Sequence, residues 1–122
     1  MKKIALIAHD DMKPEMIAFV KRNEHILAKY PLVSTGTTGL RIMENTNLTI
    51  QRYKSGPLGG DQQIGADVAT NNIEAILFFR DPLSSQPHEP DISALIRLAD
   101  VHRVPIATNP ATSDLIILSL DK

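Results

Sequence analysis

Five segments of this sequence carry residues whose types and spacing suit chemistry. His9-Asp10, with Lys13 close behind, directly follows the apolar run Ile4 to Ala8. Ser34-Thr35-Gly36-Thr37-Thr38-Gly39 gathers small residues whose backbone N–H groups can approach an anion and whose hydroxyls add donors. Ser55-Gly56-Pro57-Leu58-Gly59-Gly60-Asp61 sets a carboxylate behind a glycine-rich turn, at the expected start of a helix. Pro87-His88-Glu89-Pro90-Asp91 holds an imidazole on a path fixed by prolines, with a second carboxylate three residues on. Thr108-Asn109-Pro110 closes the series. A carboxylate can take a proton, an imidazole can donate to an oxyanion, and the threonine run can cradle a phosphate.

Each segment also has a plainer reading. The threonine run fits an ordinary strand-to-helix turn, and Asp61 fits a simple N-cap. Capping alone does not call for the preceding glycines, which favour close approach by a ligand. His9 fits a packed strand-end histidine, and Lys13 fits a surface lysine. His25 and His102 fall in helical stretches and read as solvated or partly packed. No Gly-Lys-Ser/Thr closes a Walker A loop, and Gly36 to Gly39 does not match the dinucleotide fingerprint. No His or carboxylate pair has the tight helical spacing of a metal motif, so no metal is expected.

These groups need elements to position them. Ile4 to Ala8, Ala75 to Phe79 and Pro105 to Ala107 are apolar at nearly every position, as strands covered on both faces require. Leu32-Val33 and Leu48 to Tyr53 are weaker strand candidates. Between them lie helical patterns. Pro14 opens one with Met16, Phe19, Val20, Ile26 and Leu27 on a face that Asn23 interrupts. Thr37 to Asn45, Asp61 to Asn72, a helix N-capped by Asp91 with Ile92, Leu95, Ile96 and Ala99 inward, and Ser113 to Leu120 complete the set. Strand followed by helix, five times over, predicts a three-layer α/β/α doubly wound sheet of five mainly parallel strands, a single domain over residues 1–122. In such a sheet ligands bind beyond the carboxyl ends of the strands. The five loops named above all follow strands, so all five are expected to converge on one rim, with Ser55 and Lys13 beside the threonine run.

Composition narrows the function. The 122 residues fit one domain able to hold a core without staples, and there is no cysteine for a disulfide, a thiolate metal site or a thiol nucleophile. Lys plus Arg is 13 against 14 Asp plus Glu, and aromatics are 4% with no Trp. That balance excludes a general nucleic-acid binder. The N-terminal apolar run is too short for a secretory or membrane segment, so a cytoplasmic protein is expected, with no membrane partner.

Together these segments resemble the methylglyoxal synthase family. The likeness is carried by Ala8-His9-Asp10 with Lys13, Ser34 to Gly39, Ser55 to Gln63, Phe78-Phe79-Arg80-Asp81-Pro82, Pro87 to Asp91, and Pro105 to Asn109. It runs from residue 3 to about residue 118. Gly-Pro-Leu-Gly-Gly-Asp-Gln-Gln is its most specific piece. The resemblance implies an enzyme that converts dihydroxyacetone phosphate to methylglyoxal and inorganic phosphate without a cofactor. It implies that Asp61 is the base and that Asp10 and Asp91 lie near the reacting carbons. His9, Lys13, Thr35, Gly36, Thr37, Thr38, Ser55, Gly56 and His88 are then substrate-binding. It further implies a cytoplasmic homohexamer inhibited by phosphate.

The sequence departs from the family pattern in three places. Arg80 stands where many members have Trp, and Asp11-Met12 where some have His-Cys. Longer members carry past the last helix an arginine that reaches a neighbouring subunit's phosphate site, and no residue here matches it.

The chemistry implied is consistent with the residues. A base removes a proton beside a carbonyl, and a donor stabilises the enediolate oxygen. Asp61 suits the first role and His88 or His9 the second. Phosphate leaves only if its C–O bond stands perpendicular to the enediolate plane, which the cradle can enforce. Two other classes compete. A regulatory domain of the same fold, binding a phosphorylated effector, needs the cradle but not Asp61, His9 and His88 together. A phosphoacceptor receiver domain would use Asp10-Asp11 but needs a lysine after the last strand, where Thr108-Asn109-Pro110 stands.

Overall fold

Side chains alternate across a strand, so Ile4, Leu6 and Ala8 point one way and Ala5 and Ile7 the other. All five are buried, in two separate cores. That is possible only if both faces of their strand are covered. The computed structural model, which describes residues 1–121, shows how. Lys3–Ala8 (β1) leads through Lys13–Arg22 (α1) and Glu24–Leu27 (α2) to Leu32–Thr35 (β2). Gly36–Asn45 (α3), Gln51–Tyr53 (β3) and Gly60–Ala69 (α4) follow. Ile73–Phe79 (β4), Glu89–Val101 (α5), Ile106–Ala107 (β5) and Pro110–Leu120 (α6) complete the order. The strands form one sheet in the order β3-β2-β1-β4-β5, every pairing parallel. The expected doubly wound three-layer sheet is present.

The helices divide by face. Met16, Phe19 and Val20 of α1, Ile42 of α3 and Ile117 of α6 pack on Ile4, Leu6 and Phe79. Ile64 and Val68 of α4 with Ile92, Leu95 and Ala99 of α5 pack on Ala5, Ile7 and Phe78. Phe19 meets Phe79 edge to face at 5.5 Å between ring centroids. The chain reverses its winding between β1 and β4, and a crevice opens there beyond the carboxyl ends.

Several boundaries move from their sequence expectation, each for a local reason. The Pro14 helix starts at Lys13 and breaks at Asn23, whose Nδ2 donates to Phe19 O at 2.9 Å. The weak strand over Leu48 to Tyr53 shortens to three residues, because Leu48 and Ile50 are buried outside it. Asp91 is not an N-cap. α5 begins at Glu89 after His88, since Pro90 falls in the first turn where no N–H is needed, and Asp91 is its third residue. The last helix begins at Pro110, three residues early, with Asn109 Oδ1 accepting from Thr112 N–H at 3.0 Å.

Candidate active site

A cleft of about 470 Å³ lies at the crevice. It is lined from the loops after β1, β2, β3 and β4. The loop after β5 does not reach it, contrary to expectation. Thr108 O accepts from Arg80 N–H at 3.4 Å, and Asn109 is used as a helix cap.

One half of the cleft is the threonine run. Thr35 precedes α3 without capping it by its side chain, so the N–H groups of Thr37 and Thr38 have no acceptor within the helix. Gly36 N–H is used by Lys54 O at 3.2 Å. Thr38 Oγ1 donates to Ala8 O at 3.3 Å, which ties α3 to the end of β1. Lys13 is buried, and its Nζ donates to Ala8 O at 3.3 Å and to Asp10 Oδ1 at 2.6 Å. That bond to Lys13 is the main reason the exposed Asp10 carboxyl is held below its ordinary range. Ser55 and Gly56 close this half. Donors, a helix N-terminus and a lysine give this half the chemistry to attract an anion.

The other half holds His9, Asp61 and His88, all buried. The end of β1 fixes His9, whose Nδ1 accepts from Asp81 N–H at 2.9 Å. A backbone N–H only donates, so the neutral ring carries its proton on Nε2. Burial, then the neighbouring His88, pushes the His9 pKa down and favours that neutral form. His9 Nε2 is buried without a partner. Asp61 is the second residue of α4, and neither carboxylate oxygen accepts a hydrogen bond. The capping alternative therefore fails: Gly59, at φ 107°, is the residue before the helix. Burial pushes the Asp61 pKa up, against an opposing pull from His88, with Asp91 adding a smaller upward push. His88 Nε2 stands 3.6 Å from Asp61 Oδ2, and Nδ1 has no partner. The approach depends on Gly56, where a Cβ would come within 2.7 Å of His88 Nε2.

The site residues expected from sequence are thus mostly brought together, with one exception. Asp91 does not line this cleft. It lines an adjacent apolar groove between α4 and α5, which Asp61 also borders. Three features went unread in the sequence. The Asp81 N–H that sets the His9 tautomer comes from a residue 72 positions away. Gln63 Oε1 accepts from Lys54 N–H at 2.8 Å and locks the start of α4 to the loop after β3. Gln86 lines the cleft, and its place before Pro87 was the available signal. Among the described residues, no group of three or more His, Asp or Glu could hold a metal ion.

Comparison with known proteins decides the family. The family model for the MGS-like domain matches residues 15–108. The chain is 62% identical over 120 residues to methylglyoxal synthase of Borreliella afzelii, covering 98% of this chain and 94% of that protein. The chain belongs to the methylglyoxal synthase family. A methylglyoxal synthase of Carboxydothermus hydrogenoformans is 58% identical over 121 residues, covering 99% and 100% of the two chains. The crystal structure of methylglyoxal synthase from Elizabethkingia anophelis superposes with a TM-score of 0.89 at 44% identity, covering 95% of this chain and 76% of that one. Membership makes the chain a lyase, and among the described residues no helix is long and apolar enough to cross a membrane.

Proposed function

We propose that this methylglyoxal synthase family member takes dihydroxyacetone phosphate to methylglyoxal and inorganic phosphate, with Asp61 as the base. The observation that carries the reading is the Asp61 carboxylate: buried, without a hydrogen-bond partner, and facing a cleft with an anion seat at its other end. The Thr35 to Thr38 run, with Lys13, Ser55 and Gly56, seats the phosphate. Asp61 takes a proton from the hydroxymethyl carbon, and the electron pair moves to the carbonyl oxygen. A neutral His9 donates to that oxygen from Nε2, while His88, beside Asp61, orients the base and the second oxygen. Asp61 returns its proton to the former carbonyl oxygen and takes the proton of the terminal hydroxyl. The electron pair freed there forms the aldehyde C=O, the double bond shifts, and the C–O bond to phosphate breaks. The departing phosphate takes the proton from Asp61, and the enol left behind tautomerises to methylglyoxal. The seat holds that bond out of the enediolate plane. Asp10 serves by holding Lys13. Asp91 acts through its charge on Asp61, from the adjacent groove.

The assembly proposed is a cytoplasmic homohexamer, inhibited by the phosphate it releases. The exposed Leu115 and Leu118 of α6, one turn apart, are consistent with contact between copies. The test is incubation of purified protein with dihydroxyacetone phosphate. Methylglyoxal and phosphate in equal amounts are expected. Glyceraldehyde 3-phosphate alone would mean an isomerase, and binding without turnover would mean an effector domain.

A further inference from the structure

Gln86 carries the one primary amide among the residues that line the cleft. The hydrogen-bonding groups around it already have tasks. The threonine run and Ser55 face the anion seat, Asp10 is engaged by Lys13, and the reacting half belongs to His9, Asp61 and His88. Gln86 is half-buried, and its amide has no hydrogen-bond partner among the described residues. It is nonetheless held in place. Pro87 restricts its backbone, and its carbonyl accepts from Glu89 N–H at 3.3 Å. The loop is tied at its other end by Asp81 Oδ1 accepting from Leu83 N–H at 3.0 Å, and across its base by Arg80 and Glu89 at 3.4 Å.

A primary amide offers a donor and an acceptor on one plane, which matches a hydroxyl, itself donor and acceptor. It matches a phosphate dianion poorly, because the anion only accepts. We infer that Gln86 recognises the terminal hydroxyl of the substrate and makes the cleft prefer a hydroxyl-bearing ketone phosphate over one with a methyl group in that place. This rests on the proposed reaction and deepens it: Gln86 is a specificity residue two positions from His88. A site that hydrogen-bonds a substrate hydroxyl rejects the analogue lacking it, because its own polar group is left unpaired.

The test compares wild type with Gln86→Met, which keeps the bulk, and Gln86→Ala. The probes are dihydroxyacetone phosphate as substrate, hydroxyacetone phosphate as competitive inhibitor, and inorganic phosphate as a control anion. In both variants the KM for dihydroxyacetone phosphate should rise about tenfold. Inhibition by phosphate should stay within about twofold of wild type, and inhibition by hydroxyacetone phosphate should hold or tighten, because no amide is left unpaired beside its methyl group, so the preference between the two ketone phosphates collapses. A Gln86→Met variant that keeps the wild-type preference overturns the inference while leaving the reaction in place. Loss of affinity for all three compounds in parallel also overturns it, since that marks a general change in the loop. Wild-type protein that does not consume dihydroxyacetone phosphate overturns the reaction and this inference together.

Discussion

The two halves of the cleft manage their polar groups in opposite ways. In the anion seat Lys13, Thr38 and Gly36 N–H already have protein partners. In the reacting half His9 Nε2, both oxygens of Asp61 and His88 Nδ1 are buried with none, and these are all the buried side-chain atoms so placed among the described residues. An unpaired buried polar atom costs roughly 1–3 kcal/mol. The seat's lysine and its Thr38 hydroxyl are therefore held in place before an anion arrives, whereas the reacting half is completed only by a molecule that fills it. Strain of this kind gathers where charge must move, and it is maintained by the well-packed β1 and β4 on either side.

The sharpest way to break this contrast is Asp61→Asn. Turnover should fall roughly 10²–10⁴-fold, as loss of a general base does. Inhibition by phosphate should persist, because the seat is untouched. The same change should raise the thermal midpoint by about 4 °C for each kcal/mol of burial cost relieved. Near-normal turnover in the folded variant would return Asp61 to a structural role.

His9→Ala should reduce turnover by about 10²–10³-fold, the usual cost of one oxyanion donor. His88→Asn, which keeps a donor, should retain more activity than His88→Ala, and alanine should lower turnover more than apparent affinity. A many-fold rise in KM at unchanged turnover would make His88 a ground-state contact only. On the other side of the contrast, Thr37→Ala and Thr38→Ala should raise KM and weaken phosphate inhibition together. Each hydrogen bond lost to a charged oxygen is worth about 1.5–3 kcal/mol. Steady-state kinetics with phosphate as inhibitor separates these patterns.

The smallest effects are in pH. Burial holds Asp61 above the ordinary 3.8, and its charged form is the base, so turnover should rise with pH through a limb lying above 3.8. For stability, the folded chain binds the Asp61 proton more tightly than the unfolded chain does. Asp61 therefore costs stability above its raised pKa, and the cost fades as pH falls towards 3.8. His9 runs the other way. Its folded pKa lies below 6.5, so its cost is absent at higher pH and appears as pH falls through 6.5. Thermal melts of wild type, Asp61→Asn and His9→Ala across that range read both signs.

Much of this molecule was legible in its sequence, for physical reasons that also mark where legibility stops. β1 and β4 were plain because strands buried on both faces are apolar throughout. β3 was not, because Gln51 and Arg52 at the sheet edge are exposed. The cradle, Asp61, His9 and His88 stand out because they are polar residue types set in short loops after strands. The choice between His9 and His88 as electrophile stayed open, since it turns on a backbone N–H from Asp81. The placement of Asp91 stayed hidden because α5 starts two residues earlier than its expected cap and carries that carboxylate towards the groove beside α4.

The imidazole nitrogens of His9 report most directly on the division between a braced seat and a waiting reacting half. Protein labelled with ¹⁵N in its histidines would be followed by NMR from about pH 7 downwards. The expected result is one neutral ring, protonated at Nε2 and bare at Nδ1, that stays neutral below pH 6.5. A His9 ring charged at about pH 7, or one carrying its proton on Nδ1, would contradict the neutral donor on which the proposed reaction depends.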